Sequence, residues 1–441
     1  MGILLCTILI TDYLGDIDPL SITKPQRRQI MKKNFIICIV IIFLIIIGIP
    51  LILTLMKRYP SGVEYNSSNY LGTSNGMYYI TGNFLKYYDY KSHKAVPLCG
   101  KPDCSHDSAD CNAYYDCQGS AELLLYNDTL FISYADIEIL GLDTNTDTAK
   151  RDCSIFLEQC KLDGSDRKII YKADNGSVLS MMAKNGFLYY TAYTTETSST
   201  DYDRIDNHLF EYNLRFHYTK ELATLHSNKE QSSASLEWIT DTDSTSNPYL
   251  VYVYINKDDQ SFAQFFYLTE KRTMEEYIEP LSIEEIWSAR NVYHYNDKFY
   301  IFGNSLTDTN LDKFTLGVLQ KDGTVKEILS AVNASSTVYE NYLQISIDDT
   351  SRLMYDFRNG NYYLSKYIVT NEEINVPDML SLIESDDICY VDSADYTGIE
   401  AGHVFTSDPR IPSSMSFKEY LDQYFVKFEK GMDTGAFELA E

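Results

Sequence analysis

The sequence predicts an all-β ectodomain, a β-propeller of six to eight blades with seven preferred, that follows one N-terminal transmembrane helix. Three observations support this architecture. An uncharged apolar run lies near the amino terminus of the 441 residues, a unit of turn and aromatic strand recurs along the chain, and an alternating hairpin follows most copies of that unit. Repeat periods of about 40–60 residues are typical of propellers and other repeat folds.

The apolar run extends from Phe35 to Met56 and comprises 22 residues without a charged side chain. A helix of this length spans the hydrocarbon core of a bilayer. A cleaved secretory signal usually has a shorter apolar core, followed by a small-x-small cleavage site. No such site follows here, so we expect residues 35–56 to form an uncleaved signal anchor that holds the protein in the cell membrane as a single-pass protein.

Lysine and arginine residues are more frequent before the span than after it, which indicates a cytoplasmic amino end. The basic residues before the span are Lys24, Arg27, Arg28, Lys32 and Lys33, and only Lys57 and Arg58 follow it directly. We therefore expect residues 1–34 to be cytoplasmic, 57–74 to form a linker, and 75–441 to form the extracellular propeller. The stretch MKKNFII from Met31 resembles a natural start, which favours residues 1–30 being a mis-annotated extension.

The predicted ectodomain is strongly acidic. The whole chain carries 37 Lys and Arg against 63 Asp and Glu, a net charge of −26. Residues 1–58 contribute seven basic and three acidic groups, or +4, so the remainder carries −26 − 4 = −30. Such a surface repels nucleic acid and anionic lipid headgroups and favours cations or basic partners. Solubility alone is the simpler explanation of the charge. We expect no nucleic-acid partner.

The recurring unit is a polar turn followed by a short aromatic strand. Asn-Gly and Asn-Asp favour the positive φ of tight turns, and the Tyr, Phe and Ile residues behind them favour strands. Copies begin at residues 75, 127, 185, 247, 296, 341 and 385. Intervals of 44 to 62 residues between these starts are typical of propeller blades. The unit is interpreted as the inner strand of each blade.

A hairpin of alternating residues follows each of the first six units and is interpreted as the outer half of a blade. These hairpins cover residues 84–98, 156–171, 209–225, 265–278, 314–329 and 353–368. Stacked β-sandwiches would explain the alternation, but not its pairing with the turn unit. One helix is predicted at residues 416–431, where Ser416 and Glu419 form a capping box and the apolar residues keep helical spacing.

Soft metal ligands are concentrated in the sequence CGKPDCSHDSADC, which starts at residue 99. Cys99, Cys104, His106 and Cys111 fall within these thirteen residues. Three thiolates and one imidazole are a common ligand set of structural zinc, although the C-x4-C-x-H-x4-C spacing differs from common zinc fingers. We therefore predict a structural zinc ion as the cofactor. A catalytic thiol is less favoured, because such a thiol is rarely surrounded by other thiols.

Disulfide bonds are the alternative for the predicted extracellular cysteines, since an exported chain can be oxidised. There are seven of these cysteines, so they cannot all pair with one another. If the first three bind metal, four remain as disulfide candidates: Cys117, Cys153, Cys160 and Cys389. Short loops closed by Cys111–Cys117 or Cys153–Cys160 are the pairings that the spacing suggests.

The segment VPLCGKPDCSHDSADCNAYY, residues 96–115, resembles a motif of an uncharacterised family of exported, membrane-anchored, propeller-like proteins from low-GC Gram-positive bacteria. The family pattern PLCxKPDCxHxxxxCxAY is matched by Pro97, Leu98, Cys99, Lys101, Pro102, Asp103, Cys104, His106, Cys111, Ala113 and Tyr114. The resemblance implies a cell-envelope location and a propeller, and no known reaction. The extra cysteines at 117, 153, 160 and 389 depart from the pattern.

The expected function is that of a binding or interaction module at the cell envelope, with a glycan, peptide or protein ligand. No phosphate-binding glycine loop, H-E-x-x-H or G-x-S-x-G motif occurs, so no catalytic residue is assigned and a non-enzymatic role is favoured. One alternative is a propeller-type glycoside hydrolase or lyase that acts on cell-wall or host polysaccharide. Another alternative is a structural envelope protein.

Overall fold

The computed structural model describes residues 58–440, and the following positions within that range are excepted: 69, 74, 82, 90, 93, 118–120, 144–147, 175, 197–203, 228–230, 242–247, 257–260, 284–291, 305–312, 321, 323, 340, 349, 371–377, 384–386 and 392–412. Their contacts divide the chain into two units. In the described part, the smaller unit comprises residues 58–59 and 214–217, and the larger one begins at Pro60. The larger unit contains all the strands of the described residues and is a six-blade β-propeller.

Strands in the first half of the chain form three blades, each a sheet whose strands follow one another in sequence. Two short strands come first, β1 (Glu64–Tyr65) and β2 (Ser67–Ser68). Blade 1 contains β3 (Tyr70–Gly72), β4 (Gly76–Thr81), β5 (Phe84–Asp89) and β6 (Lys94–Pro97). Blade 2 contains β7 (Ala121–Tyr126), β8 (Thr129–Asp143), β9 (Thr148–Lys161) and β10 (Lys168–Asp174). Blade 3 contains β11 (Gly176–Lys184), β12 (Phe187–Glu196), β13 (Arg204–Asn213) and β14 (Tyr218–His226).

Three further blades follow the same order. Blade 4 begins with β15 (Gln231–Trp238). The short β16 (Thr240–Asp241) pairs in parallel with blade 5. Blade 4 then continues with β17 (Tyr249–Asn256), β18 (Ser261–Leu268) and β19 (Met274–Ile283). Blade 5 contains β20 (Val292–Tyr295), β21 (Lys298–Asn304), β22 (Lys313–Leu319) and β23 (Val325–Val332). Blade 6 contains β24 (Ser335–Tyr339), β25 (Tyr342–Ser346), β26 (Arg352–Asp356) and β27 (Tyr362–Ser365).

The last part of the chain adds a small sheet, two helices and two edge strands. Helix α1 (Lys366–Thr370) is one short turn. A three-stranded sheet contains β28 (Asp378–Ile383), β29 (Asp387–Val391) and β30 (Ser413–Ser416), and β28 contacts β3 of blade 1. Helix α2 (Phe417–Tyr424) leads into β31 (Phe425–Lys427), and β32 (Phe437–Leu439) follows. The preferred number of seven blades is therefore not confirmed, because the seventh turn unit falls in this three-stranded sheet.

The hydrophobic core lies between neighbouring blades. One buried cluster joins blades 1 and 2, another joins blades 3 and 4, and two more join blade 4 to blade 5 and blade 5 to blade 6. Fully buried rings at their centres include Phe265 and Phe302, each 0% exposed. Burial of such a side chain contributes about 1.5–3 kcal/mol. The first strands of successive blades also contact one another, β3 with β7, β7 with β11, and β11 with β15. These first strands therefore form the inner side of the ring.

The predicted turn units and hairpins are confirmed as parts of blades, with one shift of position. All six predicted hairpins are third and fourth strands. The turn units lie between the first and second strands, so the strand after each turn is the second strand and not the innermost one. Asn127, Asn185 and Asn296 have φ of 56°, 53° and 50°, as a tight turn of this kind requires.

The structure changes the bounds of two predicted segments at the ends of the domain, a helix that is present but shorter and a linker that contains strands. The helix predicted at 416–431 ends at Tyr424, because Phe425–Lys427 pairs with β27 at the edge of blade 6. There its backbone groups satisfy hydrogen bonds that the blade edge would leave open. The predicted linker 57–74 contains β1, β2 and β3, which pair with blades 3, 2 and 1 respectively. The propeller therefore begins before residue 75.

The predicted membrane span, Phe35–Met56, and the predicted cytoplasmic segment 1–34 lie outside the described residues. Within the described part of the chain, no helix is both long enough and apolar enough to cross a membrane.

Candidate metal centre

The predicted zinc ligands lie in the connection between β6 of blade 1 and β7 of blade 2. This connection, residues 98–117, has almost no regular secondary structure and forms only an isolated bridge between Phe84 and Tyr114. It is attached to the start of β5 through backbone hydrogen bonds, from Leu85 to Ala113 and from Tyr115 to Asn83. We call residues 98–117 the cysteine loop.

The structure brings all four predicted ligands together. The ligand atoms of Cys99, Cys104, His106 and Cys111 lie within 4.8 Å of one another. His106 Nδ1 lies 3.4 Å from Cys111 Sγ. His106 has a φ of 58°, a left-handed conformation that a non-glycine residue adopts uncommonly. The backbone is thus bent at the residue that contributes the imidazole.

The environment of the thiols separates their acidities. Burial raises the pKa of Cys99, but the N–H groups of Lys101 and Asn112 and the neighbouring thiols lower it by a larger amount. The resulting pKa is about 7. Burial raises the pKa of Cys111 to about 11, although the N–H group of Ala113 donates to its sulfur at 3.4 Å. The two backbone N–H groups beside Cys99 and the one beside Cys111 are too few to stabilise three neighbouring thiolates. A cation is therefore needed before all three thiols can lose their protons.

The ligand set fits zinc. In a tetrahedral site with Zn–S bonds of about 2.3 Å, sulfur atoms lie about 3.8 Å apart. A largest ligand separation of 4.8 Å therefore requires only a small contraction of the loop around an ion. Three sulfur atoms and one nitrogen fill four positions and leave none for water or substrate, which is the pattern of a structural rather than a catalytic zinc site.

Blade 2 holds the cysteine loop from the other side through Arg167, which follows the turn between β9 and β10. Its guanidinium donates to the carbonyl of Tyr114 at 2.7 Å and to Glu158 at 2.9 Å. The same group lies over the ring of Tyr115, 3.9 Å from its centroid. Glu158 is buried, so its ion pair with Arg167 is largely protected from water. The loop therefore joins the two blades, and a metal within it would fix that junction.

The turn at the end of β9 also fits closely against the loop. Gly164 has a φ of 75°, and a Cβ placed on it would lie 1.8 Å from the carbonyl oxygen of Leu98. Only glycine allows both this backbone conformation and this approach. The Asp-Gly-Ser turn at residues 163–165 thus also supports the residue next to Cys99.

The disulfide predictions for the remaining cysteines are not confirmed. Cys117 and Cys160 are buried thiols and not in disulfides. Cys153 and Cys160 lie on one strand, β9, seven residues apart. An extended strand separates them by about 23 Å, whereas a disulfide requires Cα atoms within about 7 Å. The suggested disulfide between Cys153 and Cys160 is therefore ruled out by their positions on β9. Cys389 lies on β29 of the three-stranded sheet.

A second polar cluster, not predicted from sequence, lies on the inner strands. Glu122 of β7 accepts a hydrogen bond of 2.7 Å from the side chain of Asn66. Burial raises the pKa of Glu122, and the charge of Glu237 on β15 adds to the rise. Burial also raises the pKa of Glu64 on β1. Asn66 and Glu122 are 56 residues apart in sequence, so no local motif indicates their contact.

No family model and no curated protein sequence matches the chain. Several solved structures are distantly similar to the chain. An acylaminoacyl peptidase from Pyrococcus horikoshii is 8% identical, with a TM-score of 0.35 over 74% of this chain and 49% of its own. The chain therefore spans about half the length of that peptidase.

Two other structures are similarly distant. CoXyl43, a GH43 β-xylosidase/α-arabinofuranosidase from a compost microbial metagenome, is 13% identical, with a TM-score of 0.26 over 55% of this chain and 90% of its own. A Synechocystis apocarotenoid oxygenase is 9% identical, with a TM-score of 0.32 over 80% of this chain and 71% of its own. At these TM-scores the likenesses carry no inference about activity.

Proposed function

We propose that this protein is a membrane-anchored binding module of the cell envelope, with its acidic propeller outside the cell and a structural zinc ion in the cysteine loop. The apolar run Phe35–Met56 and the distribution of basic residues around it support the anchor and its orientation. The propeller supplies a rigid frame for recognition, since its blades protect one another's edges. The ligand is a glycan, peptide or protein that tolerates a strongly acidic surface.

The zinc ion has a structural role in this proposal. The four ligands all belong to one loop, and that loop packs between blades 1 and 2. An irregular loop of this length has few backbone hydrogen bonds of its own, so coordination would supply the order that regular structure does not. The metal then maintains the junction of two blades and takes no direct part in ligand binding.

One observation favours binding over catalysis at the inner strands. Glu122 has the raised pKa that a catalytic acid would need, but its carboxylate is already bonded to the side chain of Asn66. A general acid must reach the substrate oxygen directly or through one water. Because the chain's own amide occupies this carboxylate, a structural or recognition role suits Glu122 better.

Binding can be tested with the full chain in lipid nanodiscs. We expect saturable co-sedimentation with purified peptidoglycan, or binding of a fluorescein-labelled decalysine peptide that weakens with salt, as electrostatic attraction to an acidic surface requires. Empty nanodiscs provide the control. Failure of the folded, metal-loaded protein to bind either probe would contradict the binding proposal and favour the structural alternative.

A second candidate function is polysaccharide hydrolysis, and the raised pKa of Glu122, to which the charge of Glu237 contributes, favours it. Glycosidases use two carboxyl groups, one of them kept protonated by its surroundings. The test is release of reducing ends from purified cell-wall polysaccharide by the full chain. Activity that is lost in Glu122→Gln but kept in the exposed variant Glu276→Gln would favour a hydrolase, and absence of activity in the wild type would exclude it for that substrate.

A further inference from the structure

The N-terminal segment from Pro60 to Ser68, here called the strap, crosses the inner side of two blades. Its strand β1 pairs antiparallel with β11 of blade 3, with Glu64 opposite Ala183 and Tyr65 opposite Met182. Its strand β2 then pairs antiparallel with β7 of blade 2. Since β7 and β11 are first strands of their blades, the strap lies on the inner side of the ring and covers both inner edges.

Asn66 lies between the two pairings and links the two blades. Its side-chain oxygen accepts a hydrogen bond of 2.7 Å from the N–H of Met181, and its own N–H donates to the Met181 carbonyl at 3.1 Å. Its side-chain amide donates to Glu122 at 2.7 Å. One residue thus binds the backbone of β11 and a partly buried carboxylate of β7, because its amide side chain accepts from the first and donates to the second.

The beginning of the strap is held at a second point. The carbonyl of Pro60 accepts hydrogen bonds from the hydroxyl of Tyr126 and from the N–H of Asn185 at 3.2 Å. The same hydroxyl accepts from the N–H of Gly186 at 3.0 Å. Tyr126 is the last residue of β7 in blade 2, and Asn185 lies in the turn that follows β11 in blade 3. The strap is therefore fixed at this end of both blades.

The strap's strand pairings are short compared with those inside the blades. Strands β1 and β2 comprise two residues each, whereas β7 and β8 pair over six residues. Segments with few backbone hydrogen bonds open at lower free energy than the strands that they cover. Val63 and Tyr65 of the strap pack against the cluster of blades 3 and 4, whereas its attachment to blade 2 includes the side-chain bond of Asn66 and the carbonyl of Pro60.

We propose that the strap is a releasable latch whose opening uncovers Glu122 and the inner edges of β7 and β11. In the closed form, the strap is bonded to this carboxylate and paired with these edges, so a ligand would have to displace it to pair there. The strap is the first part of the propeller that follows the predicted span, so an event on the upstream chain reaches the propeller through it. The latch is independent of the proposed function and acts on whatever these inner strands recognise.

Hydrogen exchange of the full chain tests the latch. In Asn66→Asp, a carboxylate replaces the amide that donates to Glu122, so two negative charges face each other and the bond is lost. We expect amide exchange in residues 60–68, 121–124 and 178–184 to accelerate at least tenfold, with the outer strands β9 and β13 unchanged. The matched control is Asn333→Asp, a substitution in an exposed turn with a φ of 54°.

Asn66→Ala removes the same bonds without adding charge, and it serves if the aspartate variant does not fold. Unchanged exchange in both variants would overturn the latch. Equal acceleration throughout the propeller would also overturn it, because the segment would then be part of the general core and not a separately opening unit.

A peptide added in trans distinguishes an open edge from a collapsed one. The probe is a fluorescein-labelled peptide with the sequence YPSGVEYNSS, residues 59–68. We expect it to bind the Asn66→Asp chain at least tenfold more tightly than the wild type, where the strap competes in cis. A probe with aspartate in place of its asparagine should not bind. Equal binding to both chains, or none to the variant, would contradict the proposal that the displaced strap leaves a recognisable site.

Discussion

Replacement of Cys111 by serine should remove the metal and weaken the junction of blades 1 and 2. Cys111 is 2% exposed and contributes one of four ligands. Loss of a bound zinc ion that is present at 1,000 times its dissociation constant costs about 4.1 kcal/mol of folding stability. A propeller of about 380 residues has an unfolding entropy of about 0.8 kcal/mol/K, at about 2.1 cal/mol/K per residue. We therefore expect Cys111→Ser to lower Tm by about 5 °C.

The matched control is Cys117→Ser, because Cys117 is also 2% exposed and lies in the same loop but outside the ligand set. Zinc is measured per chain by mass spectrometry, and Tm is measured with and without a chelator. Wild type and Cys117→Ser should contain one zinc and lose about 5 °C with chelator, whereas Cys111→Ser should contain none and be insensitive to it. One zinc in Cys111→Ser, or none in wild type with the loop thiols oxidised, would refute the reasoning.

Three further substitutions test the electrostatics and packing described above. Glu122→Gln should raise Tm at pH 7 and have less effect at pH 4. Burial raises the pKa of Glu122 in the folded state, so the protonated carboxyl contributes fully to stability below the unfolded pKa of 4.5. This contribution is lost as pH rises through the folded pKa. Gly164→Ala should lower the free energy of unfolding by at least about 2 kcal/mol, because its Cβ would meet a backbone carbonyl at 1.8 Å. Arg167→Ala should cost about 3 kcal/mol, because it leaves a buried carboxylate without its cation.

Each of these results has its own control. For Glu122, the exposed variant Glu276→Gln should show no such dependence on pH, and a destabilised Glu122→Gln at pH 7 would contradict the argument. For Gly164, the control is Gly431→Ala, which has a φ of 98° but nothing within 4 Å of the new Cβ. An equal loss in both glycine variants, measured by denaturant unfolding, would mean that backbone strain and not the clash is responsible. For Arg167, partial restoration is expected when Glu158 is also replaced by glutamine, because the contacts with Tyr114 and Tyr115 stay lost, and no restoration would argue against the ion pair.

The outer hairpins could be predicted from the sequence because their information is local. Alternating residues around an Asp-Gly or Asn-Gly turn specify both strands and the register between them, as at residues 156–171. The first strands could not be predicted in the same way. In β7, the sequence AELLLY contains three successive leucines, because this strand is buried on both faces and loses its alternation.

The chain ends were mispredicted because their structure depends on distant partners. Residues 425–428 continue the helical spacing of α2, but the open edge of blade 6 takes Phe425–Lys427 as a strand. The strap has no periodic pattern at all, and its strands exist only through pairing with β7 and β11. Tertiary hydrogen bonding decides the conformation of both segments, and local propensity does not contain it.

The candidate metal ligands could be predicted because one short loop supplies all four of them. Cysteine and histidine within thirteen residues can converge without any long-range contact. The cluster around Glu122 had no comparable signal, since Asn66, Glu122 and Glu237 come from the strap, β7 and β15 and meet only in the assembled ring. With so many acidic residues in the chain, no pair could be selected before the strands were placed.

X-ray absorption at the zinc edge, measured on the purified full chain, tests whether the cysteine loop binds zinc through its four predicted ligands. The structure predicts one zinc per chain with three sulfur neighbours at about 2.3 Å and one nitrogen at about 2.0–2.1 Å, from Cys99, Cys104, Cys111 and His106. A shell composed only of oxygen and nitrogen, or a protein without zinc whose loop cysteines are joined in disulfides, would contradict the account of the cysteine loop as the metal-bound junction of blades 1 and 2.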